Sequence, residues 1–419
     1  MINSLMSALK IGDLRQKLLF TLLMLFVFRL GAHVPVPGIN TEVFSNMVSQ
    51  GALFGFFDVI SGGAFKKFSV FAMSITPYIN ASIIMQLLTV VVPHLERLAK
   101  EGEEGRRKIT QYTRYLTVVL AFVQAIGMSV ALKNAFIKPS LEQYLLVSLT
   151  LTAGTAFLMW IGEQITEKGI GNGISLLIFA GIVSRVPSGV VRTVEYIQAG
   201  TINYFNLILL VAIGALVIAG IVLINEGQRR IPVQYAKRVV GRRVYGGQST
   251  HIPLRVNQAG VIPVIFASSI LMFPQQLVQW FSSGNISAWY TTYFEWGTFL
   301  HTIIYALLVI GFTFFYTTVI MNPSDVAENI KKYGGFIPGI RPGRPTAEYI
   351  SKVMNKVTLV GAVFLAVIAI LPNFVLMATR IPNVYFGGTA LLIVVGVALD
   401  TMKQIESQML MRSYHGFIK

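Results

Sequence analysis

Residues 204–225 read YFNLILLVAIGALVIAGIVLIN, a run of 22 residues without a charged side chain. A helix of about 20 apolar residues crosses the roughly 30 Å hydrocarbon layer of a bilayer, since each residue adds about 1.5 Å along the axis. The run therefore predicts a transmembrane helix, and it sets the scale at which the rest of the chain is interpreted.

The composition of the whole chain agrees with a membrane protein. Of its 419 residues, 12 % are charged and 54 % are hydrophobic, whereas soluble domains carry roughly 25 % charged residues. Cysteine is absent, which excludes disulfides, thiolate nucleophiles and cysteine-based metal sites. We interpret the chain as an all-α integral membrane protein.

Ten apolar segments are long enough, or nearly so, to span a bilayer. They cover residues 18–34, 69–92, 115–132, 144–162, 173–187, 204–225, 259–281, 299–321, 357–379 and 385–402. Lysine and arginine accumulate in cytosolic loops of membrane proteins. With the N-terminus inside, 26 basic residues lie on the inner side and 7 on the outer side. This bias predicts that both termini are cytoplasmic, as are the large loops 226–258 and 322–356.

Two landmarks recur at one offset along the chain. The first and sixth spans begin 186 residues apart, and so do Pro77 and Pro263. A unit of five spans ends on the side opposite to its start, so its duplication produces two halves of inverted topology. We predict an N-terminal half at 1–187, a hinge at 188–203 and a C-terminal half at 204–419.

The segment 51–68 is apolar but is not a regular span. It contains four glycines and is cut short by Lys66 and Lys67. Irregular backbone at membrane depth persists only where protein or a water-filled cavity satisfies it. We predict a re-entrant element at about 54–67 on the outer side. A helix lying on the membrane surface is the alternative, which composition leaves open.

Catalytic and metal-binding patterns are not found in the sequence. The five histidines lie in separate connections, and the glycine-rich stretch 169–173 lacks the spacing of a nucleotide-binding loop. We expect no metal, no cofactor and no enzymatic activity. Ion-coupled transport of a small solute is a rival function, but such carriers use intramembrane carboxylates or histidines. Only Glu142 and Asp400 approach a span here, and both lie at its boundary.

Polar side chains collect in the second and seventh spans, including Asn80, Ser82, Gln86, Ser268 and Ser269. In lipid such groups must face one another or water. They predict either ordinary hydrogen bonds between helices or a seam along which two helices can separate.

Isoleucines recur beside this polar seam at the spacing of one helical turn. Ile75 and Ile79 are one such pair, and Ile174 and Ile178 are another. They are either packing residues or part of a ring that closes a pore by dewetting. Periodicity does not distinguish the two. Arg29 is the only charge well inside a span, and a side chain that reaches out to the interface accounts for it.

Seven strings follow one another along the chain, namely SGGAFKKFSVFAMSITPYINASIIMQLL (61–88), EGEEGRRKITQYTRY (101–115), GEQITEKGIGNGISLLIFAGIV (162–183), RRIPVQYAKR (229–238), AGVIPVIFASSI (259–270), FIPGIRPG (336–343) and YFGGTALLIVV (385–395). They resemble the SecY family of protein translocase channels, and the resemblance extends over essentially the whole chain.

The resemblance implies ten transmembrane helices in two inverted five-helix halves, arranged as a clamshell around a protein-conducting pore in the bacterial plasma membrane. The channel would pass unfolded secretory polypeptides and release membrane-protein helices laterally into lipid. The implied partners are the small subunits SecE and SecG, the motor ATPase SecA, the ribosome, and signal sequences with their nascent polypeptides.

The resemblance also assigns residues to parts of the channel. It implies a pore ring of Ile75, Ile79, Ile174, Ile178, Ile265 and Ile393. It implies a re-entrant plug of Phe57, Asp58, Val59, Ile60, Ser61, Gly62, Gly63, Ala64 and Phe65.

The second, third, seventh and eighth spans would form a lateral gate, with Asn80, Ser82, Gln86, Ser268 and Ser269 as its lining. Contacts with SecA or the ribosome would be made by Arg229, Arg230, Lys237, Arg238, Arg242, Arg243 and Arg341.

Overall fold

The structure is a computed structural model whose described residues are mostly helical. They are 11–41, 44, 58, 61–132, 135–137, 139–200, 203–235, 238–240, 243–245, 249–281, 285–294, 298–379 and 388–416.

Seven helices are described before residue 200. They are α1 (Gly12–Gly31), α2 (Thr76–Val91), α3 (Pro93–Lys100), α4 (Glu103–Ala131), α5 (Leu141–Lys168), α6 (Gly173–Val183) and α7 (Val186–Gln198). Seven further helices are described after it. They are α8 (Tyr204–Glu226), α9 (Ile262–Phe281), α10 (Asn285–Phe294), α11 (Phe299–Ile320), α12 (Pro323–Lys332), α13 (Arg344–Thr379) and α14 (Gly388–Gly416).

Each of the ten predicted spans overlaps one of these helices. Within the described ranges, six helices are long and apolar enough to cross a membrane, or seven if α2 and α3, bent by 98°, form one span. Many of their large apolar side chains are exposed, among them Leu216 on α8 at 74 %. Such surfaces fit lipid, because acyl chains are as apolar as leucine. The chain is a multi-pass membrane protein.

The second span begins later than its hydropathy indicates. Helix α2 starts at Thr76, whereas the apolar segment starts at residue 69. Pro77 occupies the first turn of α2, where its missing N–H is not needed. Residues 61–75 form successive turns instead, and Phe68 and Ser74 adopt positive φ angles.

A small three-stranded sheet and a separate two-stranded hairpin depart from the all-helical expectation. The connection 226–258 supplies β1 (Gln228–Tyr235) and β4 (Ser249–Arg255) to the small sheet, while its strands β2 (Arg238–Val240) and β3 (Arg243–Tyr245) pair with each other as the hairpin. Strand β1 pairs antiparallel with β4, and β5 (Gly335–Phe336) joins its other edge. Ile231, Val233 and Leu254 fill a core beneath this sheet. Strands this short are invisible to a search for spans of 20 residues, although Ile231 and Val233 show the two-residue period.

The predicted hinge at 188–203 is largely helical, because α7 runs from Val186 to Gln198. Helices α6 and α7 together form an apolar stretch of 26 residues, which is long enough to span a membrane. The division of the chain into two halves on either side of this segment stays a prediction.

The largest apolar core joins helices from before and after residue 200. It contains Phe28, Ile79 and Leu158 together with Val264, Tyr305 and Ile393. A second core lies beside it and includes Phe44, Phe65, Phe68 and Leu151. The main core therefore lies between the two predicted halves, where a passage would have to open.

Helix α5 packs against the turns that lead into α2, and Gly154 is the point of closest approach. A Cβ atom at Gly154 would clash with the carbonyl oxygen of Val70. That oxygen belongs to the backbone, so it cannot rotate away as a side chain does. Only glycine fits there.

We expect Gly154→Ala to lower the free energy of unfolding by about 1–3 kcal/mol, because the added methyl group overpacks a rigid contact. The apparent Tm of the purified protein in detergent measures this change. Gly214→Ala on the lipid-facing helix α8 is the matched control, since no described atom lies within 4 Å of the place that its methyl group would take. An equal effect of the two substitutions would contradict the close approach.

Candidate functional site

The six isoleucines of the expected ring meet in the main core. Ile75 precedes α2 and Ile79 lies on it, Ile174 and Ile178 lie on α6, Ile265 lies on α9, and Ile393 lies on α14. Ile75, Ile79, Ile178 and Ile393 are buried members of the core, and Ile174 and Ile265 pack against it half-buried. Residues far apart in the sequence thus form one apolar cluster between the predicted halves.

A small cavity of about 20 Å³ lies at the centre of this cluster. Four of the six isoleucines line it, namely Ile79, Ile178, Ile265 and Ile393. A single water needs a cavity of roughly 10–15 Å³ by this measure. The cluster therefore leaves no room for a polypeptide, and we call this closed region the waist.

A larger polar cavity of about 430 Å³ lies next to the waist. Its polar lining includes Asn172, Ser175, Asn225, Arg255, Asn257, Gln258, Asp400, Lys403 and Gln404. Three of the waist helices also line it, through Ser175 on α6, Ile262 on α9 and Val397 on α14. These residues lie about one turn from the isoleucines of the same helices. We call this cavity the vestibule, and it adjoins the waist through these three helices.

Hydrogen bonds and an ion pair connect the walls of the vestibule. The Gly171 N–H donates to Gln404 Oε1 at 2.9 Å and so links the loop before α6 with α14. Lys403 Nζ lies 2.8 Å from Glu226 Oε1. The vestibule is thus polar and suited to water, in contrast to the apolar waist.

The segment expected to form the plug is partly described. Phe57, Val59 and Ile60 lie outside the described residues. Asp58, Ser61, Ala64 and Phe65 are buried, as is Gly62, while Gly63 is half-buried. Residues 61–68 are a series of turns rather than a regular helix. Their burial favours a re-entrant element over a helix on the membrane surface.

Asp58 ties this segment to the end of α6. Its carboxylate forms an ion pair with Arg185, and only 5 % of the Asp58 side chain is exposed. Asp58 Oδ1 also accepts a hydrogen bond from the Lys66 N–H at 2.8 Å, and its carbonyl accepts one from the Gly63 N–H at 2.9 Å. One buried carboxylate thus organises the turns and anchors them to another element.

Arg29 of α1 holds the segment from a second side. Its Nη1 donates to the Gly62 carbonyl at 2.8 Å and lies 3.0 Å from Ser184 Oγ. Gly62 adopts a φ of +64°, and a Cβ there would lie 2.8 Å from the Cα of Gly181. Two contacts hold this segment, namely the ion pair of Asp58 with Arg185 and the hydrogen bond from Arg29 to Gly62. We call them the charged seat.

The sequence interpretation missed the charged seat. It explained Arg29 as a side chain reaching to the interface, whereas the guanidinium binds backbone inside the protein. The signal that could have found it was the presence of a lone charge well inside a span, which is expensive unless it has a partner. Nothing in the spacing of Asp58 and Arg185 indicates their contact.

The five residues expected at a lateral gate separate into two groups. Asn80, Ser82 and Gln86 are half-buried on α2, while Ser268 and Ser269 on α9 are buried and line the waist cavity. Gln86 Nε2 donates to Ser82 Oγ at 3.4 Å, and Ser268 Oγ donates to the Ile265 carbonyl at 2.8 Å. The first bond lies within α2 and the second within α9. Neither joins the two helices, although α2 and α9 pack together.

The basic residues expected to contact partners lie on the small sheet and the turn beside it. Arg229 and Arg230 are exposed on β1, and Arg341 is exposed between β5 and α13. The pairing of Gln234 with Phe336 brings these two loops together. Arg238 and Arg243 belong to the hairpin β2–β3. Lys237 and Arg242 lie outside the described residues.

A metal site is not seen in the part of the chain that the structure describes, because no group of three histidine or acidic side chains converges there. A polar vestibule leads to a closed apolar waist, and a segment held by charges lies nearby.

Comparisons with known proteins agree with this arrangement. The SecY family model matches residues 69–402. The chain is 53 % identical to the protein translocase subunit SecY of Halalkalibacterium halodurans, with 100 % of both chains covered.

Two solved structures are similar in fold. "The structure of a protein conducting channel" has a TM-score of 0.69 at 20 % identity and covers 94 % of this chain and 92 % of that one. The Sec61 channel in a canine ribosome–channel complex from the endoplasmic reticulum has a TM-score of 0.64 at 19 % identity, with the same coverage.

We expect Asp58→Asn to lower the free energy of unfolding by about 1–3 kcal/mol. Removing one partner of a buried pair leaves the other charge uncompensated, and the partial exposure of Arg185 reduces the cost. The decrease in apparent Tm of the purified protein measures this loss of stability. The double variant Asp58→Asn with Arg185→Gln should show a smaller decrease than the sum of the two single variants.

Glu348→Gln is the control for Asp58→Asn. It removes an acid from an exposed pair with Arg344 at 3.2 Å, so its apparent Tm should match that of the unmodified protein. If Asp58→Asn has no larger effect than this control, the charged seat is not a stabilising contact.

Proposed function

Since the chain belongs to the SecY family of protein translocase subunits, we propose that it forms a protein-conducting channel. The channel passes unfolded secretory polypeptides across a membrane and releases membrane-protein helices laterally into lipid. One structural observation carries this proposal, namely the vestibule with polar lining residues that adjoins a closed waist of isoleucines from four helix regions. The rival function, ion-coupled transport of a small solute, has no support among the relatives.

The pore ring would work by excluding water from the waist. A pore lined by branched aliphatic side chains dewets, so ions cannot cross it even though no covalent barrier exists. Apolar contacts are also non-directional, so the isoleucines can separate around a polypeptide and close again behind it. The waist cavity of about 20 Å³ supports a closed resting ring.

The segment of Asp58 and residues 61–65 would serve as the plug on the side of the waist away from the vestibule. Its contacts with Arg29 and Arg185 fix it in one position, because charge-assisted hydrogen bonds are directional. Leaving that position would require these contacts to break together. This gives the resting channel a second barrier besides the ring.

The lateral gate would open between α2 with α4 on one side and α9 with α11 on the other. Helix α9 packs against both α2 and α4. The polar side chains along this contact form bonds inside their own helices, such as that from Gln86 to Ser82. The two sides could therefore separate with little loss of hydrogen bonding.

Energy for transport would come from partners, since the sequence has no nucleotide-binding motif. Arg229 and Arg230 are exposed on β1, and Arg341 is exposed in the turn that follows β5, the strand paired with the far end of β1. A basic surface of this kind attracts the phosphate backbone of ribosomal RNA and acidic surfaces of a motor such as SecA. SecE and SecG are the expected small subunits, and SecE would clamp the two halves.

The channel would lie in a bacterial plasma membrane with both termini in the cytoplasm. The uneven distribution of lysine and arginine supports this orientation. The vestibule, which adjoins the basic loops through Arg255, would then face the cytoplasm. The halves 1–187 and 204–419 would move about the segment 188–203.

Site-specific crosslinking tests the proposed function. A photoreactive residue at position 79 or 265 should crosslink to a stalled secretory polypeptide, because both side chains line the waist. The same probe at position 208, which is 67 % exposed on the lipid-facing α8, should not. Crosslinks at position 208 alone would show that the polypeptide travels outside the bundle.

Ion conductance in planar bilayers tests the ring. Replacing Ile79, Ile174 and Ile265 together by serine should make the resting channel leak ions, because hydroxyl groups allow water to wet the waist. Leucine at the same three positions keeps the surface apolar and should preserve the seal. Equal conductance of the serine and leucine variants would show that these residues are not the ion barrier.

A further inference from the structure

Five residues with hydroxyl groups line the waist cavity beside the isoleucines. They are Thr76, Ser268, Ser269, Tyr305 and Thr389, and each is at most 8 % exposed. They come from α2, α9, α11 and α14, so no single helix accounts for them. We call this set the hydroxyl collar.

Two members of the hydroxyl collar lie on the side of the ring that faces away from the vestibule. Thr389 precedes Ile393 by one turn on α14, whereas Val397, which lines the vestibule, follows it by one turn. Ser269 follows Ile265 by one turn on α9, and Val261 of the vestibule precedes Ile265 by four residues, just before α9 begins. One turn of helix is about 5.4 Å. Isoleucines thus separate Ser269 and Thr389 from the vestibule, while Thr76 lies between Ile75 and Ile79 at the level of the ring.

The hydroxyl of Thr76 differs from those of many threonines inside the helices of this protein. Thr113, Thr117, Thr313 and Thr317, for example, donate to the carbonyl four residues earlier at 2.6–2.9 Å. Thr76 is the first residue of α2, so no helical carbonyl precedes it by four positions. Its Oγ1 is buried and makes no hydrogen bond to any described group. An unsatisfied buried hydroxyl is unfavourable.

The cavity beside Thr76 has the volume and the neighbouring hydroxyl groups to hold a water that bonds to the Thr76 hydroxyl. Its volume of about 20 Å³ exceeds the roughly 10–15 Å³ that one water needs, and a buried water makes two to four hydrogen bonds. Ser268 Oγ donates to the Ile265 carbonyl at 2.8 Å, which leaves its lone pairs free to accept. A hydroxyl that lacks a partner and a hydroxyl that can still accept therefore line the same cavity.

We infer that the hydroxyl collar binds one water molecule, held between Thr76 Oγ1 and the serine hydroxyls of α9. The site lies against the isoleucine ring, because Ile79, Ile178, Ile265 and Ile393 line the same cavity. A water bound there satisfies Thr76 without opening a path to the vestibule. The inference concerns the resting protein and does not depend on what the channel transports.

Paired threonine-to-valine substitutions test the site. Thr155 is the matched control, because its Oγ1 is also buried without a hydrogen bond, it is 1 % exposed, and it does not line the waist cavity. Thr155→Val removes an unsatisfied hydroxyl and should leave the apparent Tm unchanged or raise it. Thr76→Val removes a partner of the bound water and should lower the apparent Tm by about 1–3 °C. Equal shifts in the two variants, in either direction, would overturn the inference.

A direct observation complements the stability measurement. A high-resolution map of the unmodified protein in lipid should show a spherical density within hydrogen-bonding distance of Thr76 Oγ1, and a map of Thr76→Ser should retain it. If Thr76→Val does not fold, Ser269→Ala removes a partner of the bound water on α9 and should give a decrease in apparent Tm of the same size. Maps without this density would overturn the inference.

Discussion

The contact among isoleucines of four separate helix regions is the interaction on which the rest of the structure depends. Ile79, Ile178, Ile265 and Ile393 close the waist from both sides of the predicted hinge. Apolar burial contributes roughly 25 cal/mol per Å² and has no preferred direction. A seal of this kind is stable when closed, yet it can be deformed by degrees. The vestibule adjoins the waist through three of the same helices, and the hydroxyl collar lines the waist cavity itself.

The charged seat has the opposite character. Arg29 reaches the Gly62 carbonyl at 2.8 Å, and Asp58 pairs with Arg185, so the segment is held by contacts that depend on angle and distance. Such contacts are either made or broken, whereas apolar packing yields gradually. The proposed plug would thus switch between two positions while the ring adapts to what passes through it. The two barriers differ in physics, and each suits the task proposed for it.

The sequence predicts the spans well because hydropathy over 20 residues is a property of local composition. It predicts the other elements less well. The start of α2 depends on Pro77, and β1 to β4 are too short for a span-sized window. The seat joins residues 33 and 155 positions apart, such as Arg29 with Gly62 and with Ser184, and no spacing encodes such pairs. Periodicity left the role of the isoleucines undecided, and the family resemblance supplied it.

The position of the waist between helices of different halves also explains how the proposed channel could open without unfolding. Backbone polar groups in a membrane must be satisfied within each helix, so separating helices costs few backbone hydrogen bonds. Among the described residues, the second core lies mainly within the N-terminal half and the third beneath the small sheet. These cores can persist while the waist parts. The bond from the Gly171 N–H to Gln404 joins the two sides at the vestibule, where water can replace either partner. Opening would therefore break chiefly the apolar contacts of the waist. An entering polypeptide partly replaces these contacts with its own side chains.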